Sequence, residues 1–391
     1  MKPRLLIVPH LFATDIRIRG LELARHLTDR FEVYCLQVPS LAHVHARGKW
    51  ERRSKQVAIG LKAIARPLRL GRGPDGLVYV SYPHLDPALL ARIFGSRASV
   101  WIARKFNGAV LQRAITRIGA THVLLESSFF AWDPSSQVKL FLDIVDWFPE
   151  EKFDRHAVVS AGESLRRHAR SASAVFAVSS VLAEKLKLLL ERDVVSLPNG
   201  ADVRRLRTAN RMQVEVLRQK WGLEGKFVVS SIGKHGKFSQ LDFAIAVFQA
   251  VRKLVSEAVL LVVGPCDDKV LSTKLPGVIF TGQVSPDDVD AYFHLTDVGL
   301  LTQEKSGGTD YAFQIKMVEY SICRKFVLST PLEVWRRLRW PNVILMEQDV
   351  SSWARELAAT RYRTWNPEWD RIFEKYDWDA IANSMAAVMS Q

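Results

Sequence analysis

Short apolar runs rich in β-branched residues recur along this 391-residue chain, with amphipathic segments between them. Most are apolar without strict alternation, which is typical of strands buried on both faces of a parallel sheet. A basic, helical-looking stretch near 201–223 separates two series of runs, which together predict two doubly wound α/β domains. The runs begin at Leu5, Phe31, Leu77, His122, Leu140, Val175, Val194, Phe227, Val259, Val278, Asp297, Phe326 and Val343.

The net charge is unevenly distributed between the two halves. Residues 1–200 hold 30 basic and 18 acidic side chains, a net of +12, and the remainder hold 25 and 23, a net of +2. This asymmetry argues against a uniformly basic nucleic-acid coat and favours one half that faces an anionic partner. Three distant cysteines, Cys35, Cys266 and Cys323, form neither a disulfide framework nor a metal-ligand pattern.

No secretory signal is recognised, and no window approaches the roughly 18–20 apolar residues of a spanning helix, so we predict a cytoplasmic protein. The most basic segment, 47–72, contains nine basic side chains and one acidic one. On a helix, Trp50, Val57, Leu61 and Ile64 share one face, opposite several basic residues. This pattern predicts contact with an anionic membrane surface. The alternative is an ordinary helix packed on the sheet, with a solvated basic face.

Ligands of open α/β sheets bind beyond the carboxyl ends of the strands, so residues that follow strands are informative. Gly307 and Gly308 follow one strand and precede a helix predicted at about 313–323. Backbone amides at such a helix start favour a diphosphate. Glu319 lies about two turns into the helix, where a carboxylate can accept both hydroxyls of a ribose. The alternative is an exposed helix carrying a solvated Lys316–Glu319 pair.

A second glycine-flanked turn, SSIGKHGK at 230–237, follows the first strand of the second half. Lys234 and Lys237 can place ammonium groups against phosphate, each contact contributing about 1.5–3 kcal/mol. The alternative is a solvated loop. Neither a Walker spacing nor a GxGxxG fingerprint is present in the sequence.

With LPNGAD at 197–202, these segments resemble GT-B glycosyltransferases, closest in pattern to glycosyltransferase family 4. Residues 198–202 match the family's PNG(V/A)D segment, and 163–186 are similar to its E…ADxVxxxSxxLxE run. Gly233, Lys234 and Lys237 resemble its diphosphate loop. The tail, FEKYDWDAIANSM, resembles the family's closing helix.

The resemblance implies two facing Rossmann-like domains, an acceptor-side domain at 1–200 and a nucleotide-sugar-binding domain at 201–375. A helix at 376–391 is expected to cross back to the first domain.

Many members hold the donor sugar and ribose with two glutamates separated by seven residues. Counting back from Glu319 gives Tyr311, so the first glutamate is absent, and Asp310 is the alternative. The segment resembles a variant written PxKxxEYxxxGKPV, in which Lys316, Glu319 and Tyr320 have counterparts.

The first domain is expected to receive the acceptor. Arg17 and Arg19 stand where many members carry a glycine pair, and are predicted to reach an anionic acceptor or the donor diphosphate; a helix-start cluster is the alternative. Asp146 and Trp147 follow a strand that resembles the family's vYDxxDd segment. Asp146 is predicted to orient an acceptor hydroxyl, or to cap the next segment, and Trp147 to stack on a sugar ring.

Two further side chains bracket an earlier strand. His122 opens it and favours a structural histidine, and Glu126 ends it, nearer the expected ligand; neither is assigned a role.

The resemblance implies a retaining, metal-independent glycosyltransferase without a resident cofactor, acting in bacterial polysaccharide or glycolipid synthesis. Its expected partners are a UDP- or GDP-linked sugar and a saccharide or lipid-linked acceptor, not nucleic acid. It is placed in the cytoplasm, peripheral on the inner face of the membrane. Lys234 and Glu319 are the predicted catalytic residues. The predicted nucleotide-sugar-binding residues are Gly233, Lys237, Gly307, Gly308, Tyr311, Lys316, Glu319 and Tyr320. Alternatives are a nucleotide-sugar 2-epimerase and a degenerate, non-catalytic nucleotide-sugar-binding protein.

Overall fold

The computed structural model describes residues 2–10, 17–37, 49–126, 132, 138–147, 155–208, 210–236, 238–266 and 275–391. Among the predicted site residues, Lys237 lies outside these ranges. The chain forms two compact units, Met1–Pro198 with Ala382–Gln391, and Asn199–Ile381. Each unit contains one mostly or wholly parallel sheet, so the prediction of two doubly wound α/β domains is confirmed. No helix in the described ranges is long and apolar enough to cross a membrane.

The first unit has an eight-stranded sheet in the part that the structure describes. Its strands are β1 (Arg4–Val8), β2 (Glu32–Leu36), β3 (Arg69–Arg72), β4 (Val78–Ser81), β5 (His122–Leu125), β6 (Lys139–Ile144), β7 (Ala172–Ala177) and β8 (Val195–Ser196). The strand order is β3-β4-β2-β1-β5-β6-β7-β8, and only β3 runs antiparallel to its neighbour. The chain order reverses between β1 and β5, which makes this position the switch point of the sheet.

The helices of this unit connect the parallel strands. They are α1 (Arg19–His26), α2 (Lys49–Ile64), α3 (Pro87–Ile118), α4 (Arg155–Ser171) and α5 (Ser180–Leu190). Helix α3 is broken at Gly95, whose φ of 71° lies in the left-handed region that favours glycine. Strand β3 was not predicted, because its exposed RLGR sequence lacks the apolar pattern of the other strands. Its charged residues occupy the edge of the sheet, where they oppose pairing with another chain.

The second unit has a six-stranded sheet in which every described pair is parallel. Its strands are β9 (Phe227–Ile232), β10 (Ala258–Val263), β11 (Val278–Gly282), β12 (Val298–Leu301), β13 (Phe326–Ser329) and β14 (Val343–Leu345). The order β11-β10-β9-β12-β13-β14 reverses between β9 and β12, the switch point of this sheet. The carboxyl ends of these two strands are where a ligand is expected.

The helices that follow Asn199 are mostly short. They are α6 (Val203–Arg207), α7 (Arg211–Trp221), α8 (Leu241–Leu254), α9 (Val289–Leu295), α10 (Ile315–Ile322), α11 (Glu333–Leu338), α12 (Val350–Thr360), α13 (Asp370–Glu374) and α14 (Trp378–Met389). Helices α6 and α7 lie in the basic stretch 201–223, which was predicted to be helical.

The core of the second unit forms around the fully buried strands β9 and β10. Phe248 of α8 and Trp353 of α12 are both completely buried there. Fully burying such a side chain stabilises the fold by about 1.5–3 kcal/mol. This packing fixes β9 and therefore the turn that follows it.

Candidate active site

The turn after β9 is built from two glycines that the backbone requires. Gly233 has a φ of 143° and Gly264, at the end of the neighbouring β10, has a φ of 115°. A Cβ at Gly264 would lie 2.0 Å from the carbonyl oxygen of Gly233, so the two chains pass too closely for any side chain. Backbone is therefore presented at this edge of the sheet in place of side chains.

Lys234 and His235 follow this turn and have opposite environments. The backbone N–H of His235 donates to Pro265 at 2.9 Å, and its ring is buried with Nε2 3.3 Å from the Val263 carbonyl. Burial lowers the pKa of His235 despite the opposing effect of its backbone hydrogen bonds, which favours the neutral ring. Lys234 is exposed and forms no ion pair within the described ranges. The buried histidine anchors the turn, and the lysine is available to an anion.

The loop after β12 is tied to the turn after β9. Thr302 Oγ1 donates to the Ser239 carbonyl at 2.7 Å, and the N–H of Glu304 donates to the Phe238 carbonyl at 2.9 Å. These bonds hold the loops at the ends of β9 and β12 together at the switch point of the second sheet.

Gly307 and Gly308 lie farther along this loop, and a 3₁₀ turn, Thr309–Tyr311, follows them. Neither glycine has a positive φ, and a Cβ added at Gly307 would meet open space. Their role is therefore not to permit a strained turn but to leave the loop surface free of side chains. Helix α10 begins at Ile315, two residues after the start predicted at about 313.

The residues before α10 have no free acidic group to offer in place of the missing glutamate. Tyr311 is half-buried at the position that many family members fill with glutamate. The adjacent Asp310 accepts a hydrogen bond from the backbone N–H of Glu333 at 3.0 Å, so its carboxylate supports the start of α11.

The start of α10 is positioned by side chains but capped by none. Gln314 occupies the N-cap position without making a side-chain cap; its amide bonds Gln303, and its oxygen accepts from Trp335 Nε1 at 3.2 Å. The first N–H groups of α10 therefore keep their capacity to bind an anion. The bond between Gln314 and Gln303 also joins α10 to the loop after β12.

Lys316 and Glu319 form an ion pair in α10. Lys316 Nζ lies 2.7 Å from Glu319 Oε2, and the lysine is 31% exposed against 3% for the glutamate. The ammonium also lies 5.5 Å above the Phe293 ring. Solvent reaches the pair mainly through Lys316, so a ligand that engages Glu319 has to approach beside the lysine.

Tyr320 was predicted to bind the nucleotide sugar, but its side chain is completely buried. Its hydroxyl lies 2.9 Å from Ser230 Oγ and donates to the Ser230 carbonyl at 3.1 Å. Gly299 allows the close approach, since a Cβ there would lie 2.8 Å from the tyrosine ring. Tyr320 therefore fastens α10 to β9 and is not free to contact a ligand.

The PNGAD segment, residues 198–202, contacts the residues that lead into α10. Asn199 Nδ2 donates to the Phe313 carbonyl at 2.7 Å, two residues before α10. Phe313 packs against Trp335 and Tyr376, with ring centroids 5.2 and 5.7 Å away. Gly200 is required, because a Cβ there would approach the Trp378 ring to 2.9 Å. The motif thus holds the segment that leads into α10.

The first unit carries its own polar cluster at the carboxyl ends of its central strands. Arg19 forms a bidentate ion pair with Asp143 at 2.7 and 3.1 Å and donates to the Pro198 carbonyl at 2.7 Å. Arg19 is 3% exposed and Asp143 is fully buried. Arg19 was predicted either to reach an anionic ligand or to belong to a helix-start cluster. It is the first residue of α1, and its buried pairing with Asp143 joins α1 to β6, which agrees with the second alternative. Arg17 lies half-buried just before α1.

Asp146 and Trp147 follow β6, as predicted. Asp146 is exposed, and Lys185 Nζ lies 4.7 Å above the half-buried Trp147 ring. The indole face is therefore covered by an ammonium group, and a sugar that stacks on that face has to displace it.

Sequence reasoning missed a histidine–carboxylate contact next to this cluster. His10 lies two residues after the end of β1, and its Nδ1 is 3.3 Å from Oε2 of Glu126, which directly follows β5. The sequence contained a hint of this contact, since both residues follow predicted strands, and the structure places these two strands side by side. Their separation of 116 residues hid the contact.

Comparison with known proteins gives one family match, which lies within the second unit. Residues 226–360 match the family glycosyl transferases group 1. No curated protein matches the sequence.

Three solved structures illustrate the similarity of fold. One is HepE from Anabaena in complex with UDP and glucose, at 14% identity over 99% of each chain and a TM-score of 0.63. Another is WaaG, a glycosyltransferase involved in lipopolysaccharide biosynthesis, at 14% identity over 99% of each chain and a TM-score of 0.67. The third is sucrose-phosphate synthase from Thermosynechococcus elongatus, at 13% identity over 100% of this chain and 99% of that one, with a TM-score of 0.66.

The solved structures confirm the predicted GT-B fold. The family match supports the predicted glycosyltransferase class through residues 226–360. The matched range, 226–360, contains the turn at Gly233, the glycine loop and α10. The first unit lies outside it.

Proposed function

We propose that this glycosyltransferase moves a hexosyl group from a UDP- or GDP-linked sugar to a saccharide or lipid-linked acceptor. One observation carries the proposal: the turn at Gly233, the exposed Lys234 and the uncapped start of α10 are joined at one switch point. The turn brings the backbone close, Lys234 offers positive charge and the start of α10 offers N–H groups without a side-chain cap, which together complement a diphosphate. HepE, which has been solved in complex with UDP-glucose, has a similar fold.

In this proposal the second unit holds the donor. Lys234 and Lys316 contact the diphosphate, Lys237 is assigned the same role from the sequence, and the glycines at 233, 307 and 308 let the backbone approach the diphosphate closely. Stabilising the negative charge that grows on the leaving diphosphate is the main catalytic effect available to such groups. Glu319 accepts the ribose hydroxyls after exchanging part of its contact with Lys316. Tyr311, in place of the missing glutamate, lines the sugar position.

The course of the reaction follows the family resemblance. We propose retention of anomeric configuration, without a metal ion and without a resident cofactor. Asp146 and Trp147 of the first unit then serve the acceptor, the carboxylate accepting a hydroxyl hydrogen and the indole contacting a sugar face once Lys185 has moved aside.

A cytoplasmic location, peripheral on the inner face of the membrane, is supported by the surface of α2. Three apolar side chains of α2 are 37–59% exposed: Val57, Leu61 and Ile64. Basic side chains in and just after the helix are also exposed, including Lys55, Lys62 and Arg66. Exposed apolar and basic groups together favour anionic lipid, with about 1 kcal/mol contributed by each basic residue near the surface. A lipid-linked acceptor in polysaccharide or glycolipid synthesis fits such a location.

Transfer assays with Lys234→Ala and Glu319→Ala test the donor site. With UDP-glucose and GDP-mannose as donors, we expect Lys234→Ala to lower kcat/KM about 10- to 100-fold, the value of one charge-assisted contact. Lys226→Ala is the matched control, because this lysine is also exposed but precedes β9 at the opposite edge of the sheet. Unchanged activity in both site variants would refute the assignment. Nucleotide release that depends on acceptor would distinguish transfer from 2-epimerisation and from binding without turnover.

Flotation with phosphatidylglycerol vesicles tests the membrane contact. The double variant Val57→Ser with Leu61→Ser should float less than the wild type at low salt. Met212→Ser with Val216→Ser is the control, since these residues have the same spacing on the exposed face of α7. A wild type that stays in the soluble fraction would contradict this part of the proposal.

A further inference from the structure

A cavity of about 400 Å³ lies at the amino-terminal edge of the second sheet, and we call it the amino-edge cavity. Its wall includes Phe227, Val298 and Phe326, the first residues of β9, β12 and β13, and part of the segment after α12. Small-molecule sites usually measure about 300–1,000 Å³. Strand β9 separates this cavity from the donor turn at Gly233 by roughly 17 Å, at about 3.3 Å per residue. The two places are therefore distinct.

Several guanidinium and ammonium groups line the amino-edge cavity. They include Arg324, Lys325, Arg361 and Arg363. Arg324 Nη2 lies 2.6 Å from Asp370 Oδ2, and Arg361 Nη2 lies 2.8 Å from Glu257 Oε1. A guanidinium group carries five N–H donors, so one carboxylate leaves each arginine with donors for a ligand. Such forked donors match the oxygens of a phosphate.

Lys325 brings a positive charge into the cavity without a counterion beside it. The residue is half-buried, and its Nζ donates to the His294 carbonyl at 3.4 Å. It forms no ion pair within the ranges that the structure describes. Burial lowers the pKa of Lys325 despite the attraction of Asp297. An ammonium group that has lost water without gaining a carboxylate favours a bound anion.

Arg324 adopts a backbone conformation that normally selects glycine. It follows the C-cap of α10 with a φ of 57°, in the left-handed region. When the pattern PxKxxEYxxxGKPV is aligned on Glu319, its glycine falls at position 324. This chain therefore accepts backbone strain at the one position that puts a guanidinium on the cavity wall. Strained residues of this kind are typical of functional sites.

The cavity also contains hydrogen-bond acceptors and an aromatic ring. Glu257 and Asp297 line it, and Asp297 Oδ2 accepts the backbone N–H of Val228 at 2.7 Å. The indole of Trp365 is fixed by its Nε1, which donates to Asp370 Oδ1 at 3.0 Å. Cations alone would favour any anion. Carboxylates next to them favour a ligand that also donates hydroxyl hydrogens, and an aromatic ring can contact a sugar face.

We propose that the amino-edge cavity binds a phosphorylated sugar. Its phosphate lies against Arg324, Lys325 and Arg361, and its hydroxyl groups donate to Glu257 and Asp297. The two arginines keep their carboxylate contacts and bind the phosphate through their remaining N–H groups. This site goes beyond the proposed transfer reaction and does not depend on it, because every residue involved lies at the edge of the sheet opposite the donor turn.

Isothermal titration calorimetry with glucose 6-phosphate tests the inference, using the full chain in the presence of saturating UDP. UDP occupies the donor site, and the phosphate of this probe is not on the anomeric carbon, so the probe resembles the donor little. We expect the wild type to bind glucose 6-phosphate more tightly than inorganic phosphate and not to bind glucose. Arg324→Gly and Lys325→Met should each weaken binding about 10- to 100-fold, the value of one charge-assisted contact.

Arg339→Gly is the matched control. Arg339 is also an exposed arginine at a helix end, with a φ of 49°, but it does not line the cavity. This variant should bind glucose 6-phosphate as the wild type does. Arg324→Gly relieves backbone strain while losing an exposed ion pair, so its urea unfolding midpoint should stay near that of the wild type. Weaker binding by this variant would then not reflect unfolding.

Four results would overturn the inference. They are a wild type that does not bind glucose 6-phosphate, inorganic phosphate that binds equally tightly, binding that UDP abolishes, and binding by Arg324→Gly and Lys325→Met within twofold of the wild type. A protein that does not bind UDP would contradict the proposed function instead. The same titrations without UDP would then still decide whether the amino-edge cavity binds the phosphorylated sugar.

Discussion

The two sheets of this protein present different chemical groups at their switch points. In the second unit, the switch point offers backbone: two glycines with positive φ, a glycine loop and an uncapped helix start. In the first unit this edge of the sheet offers side chains, namely the buried Arg19–Asp143 pair and the contact of the partly exposed His10 with the buried Glu126. Backbone N–H groups suit any diphosphate, whereas a side-chain cluster suits one particular ligand or step. This difference agrees with the range of the family match, which covers most of the second unit and none of the first.

Arg19→Met should produce the largest effect and would test whether the first switch point depends on buried charge. Removing the guanidinium leaves the Asp143 carboxylate buried without its partner, which typically costs about 3–5 kcal/mol of stability. Urea unfolding monitored by circular dichroism measures the loss. Arg19→Met combined with Asp143→Asn is the control, since it removes both charges and should recover part of the stability. A single variant as stable as the wild type would show that the pair is not needed.

Gly264→Ala makes the corresponding change in the second unit. The new Cβ would collide with the Gly233 carbonyl in a backbone conformation unsuited to alanine, which we expect to cost about 1–3 kcal/mol and to displace the donor turn. Gly236→Ala is the matched control, because that position has no positive φ and open space around it. Thermal unfolding with and without UDP gives both stability and binding. Equal UDP stabilisation in the two variants would argue against a backbone-built donor site.

Asn199→Ala should have the smallest effect on stability, and it tests whether side-chain contacts also support the site in the second unit. Losing its hydrogen bond to Phe313 should cost about 0.5–1.5 kcal/mol and loosen the segment before α10, so UDP affinity should fall as well. Asn210→Ala removes the N-cap of α7, a loss of about 1 kcal/mol that does not touch the site. If both variants bind UDP equally well, the PNGAD segment supports the fold alone.

The sequence predicted the strands well and the side-chain roles less well. Every described strand except β3 was predicted, because the strands of a buried parallel sheet are recognisable as runs of consecutive apolar residues. The sequence did not reveal that the side chains of Arg19 and Tyr320 are buried, because a motif gives the position of a residue but not which way its side chain points. All six residues from Met317 to Ile322 are buried, so no polar face distinguishes Tyr320 from its neighbours. The contact of His10 with Glu126 arises only from strand order, which no local pattern contains.

The aromatic packing beneath α10 has an optical consequence. Trp335 and Trp340 lie with ring centroids 5.3 Å apart at an interplanar angle of 56°, close enough for their electronic transitions to couple. Trp335 also donates its indole N–H to Gln314 at the start of α10. Occupation of that helix start should therefore change the near-ultraviolet circular dichroism of the pair. The proposed donor binding can therefore be followed without a label.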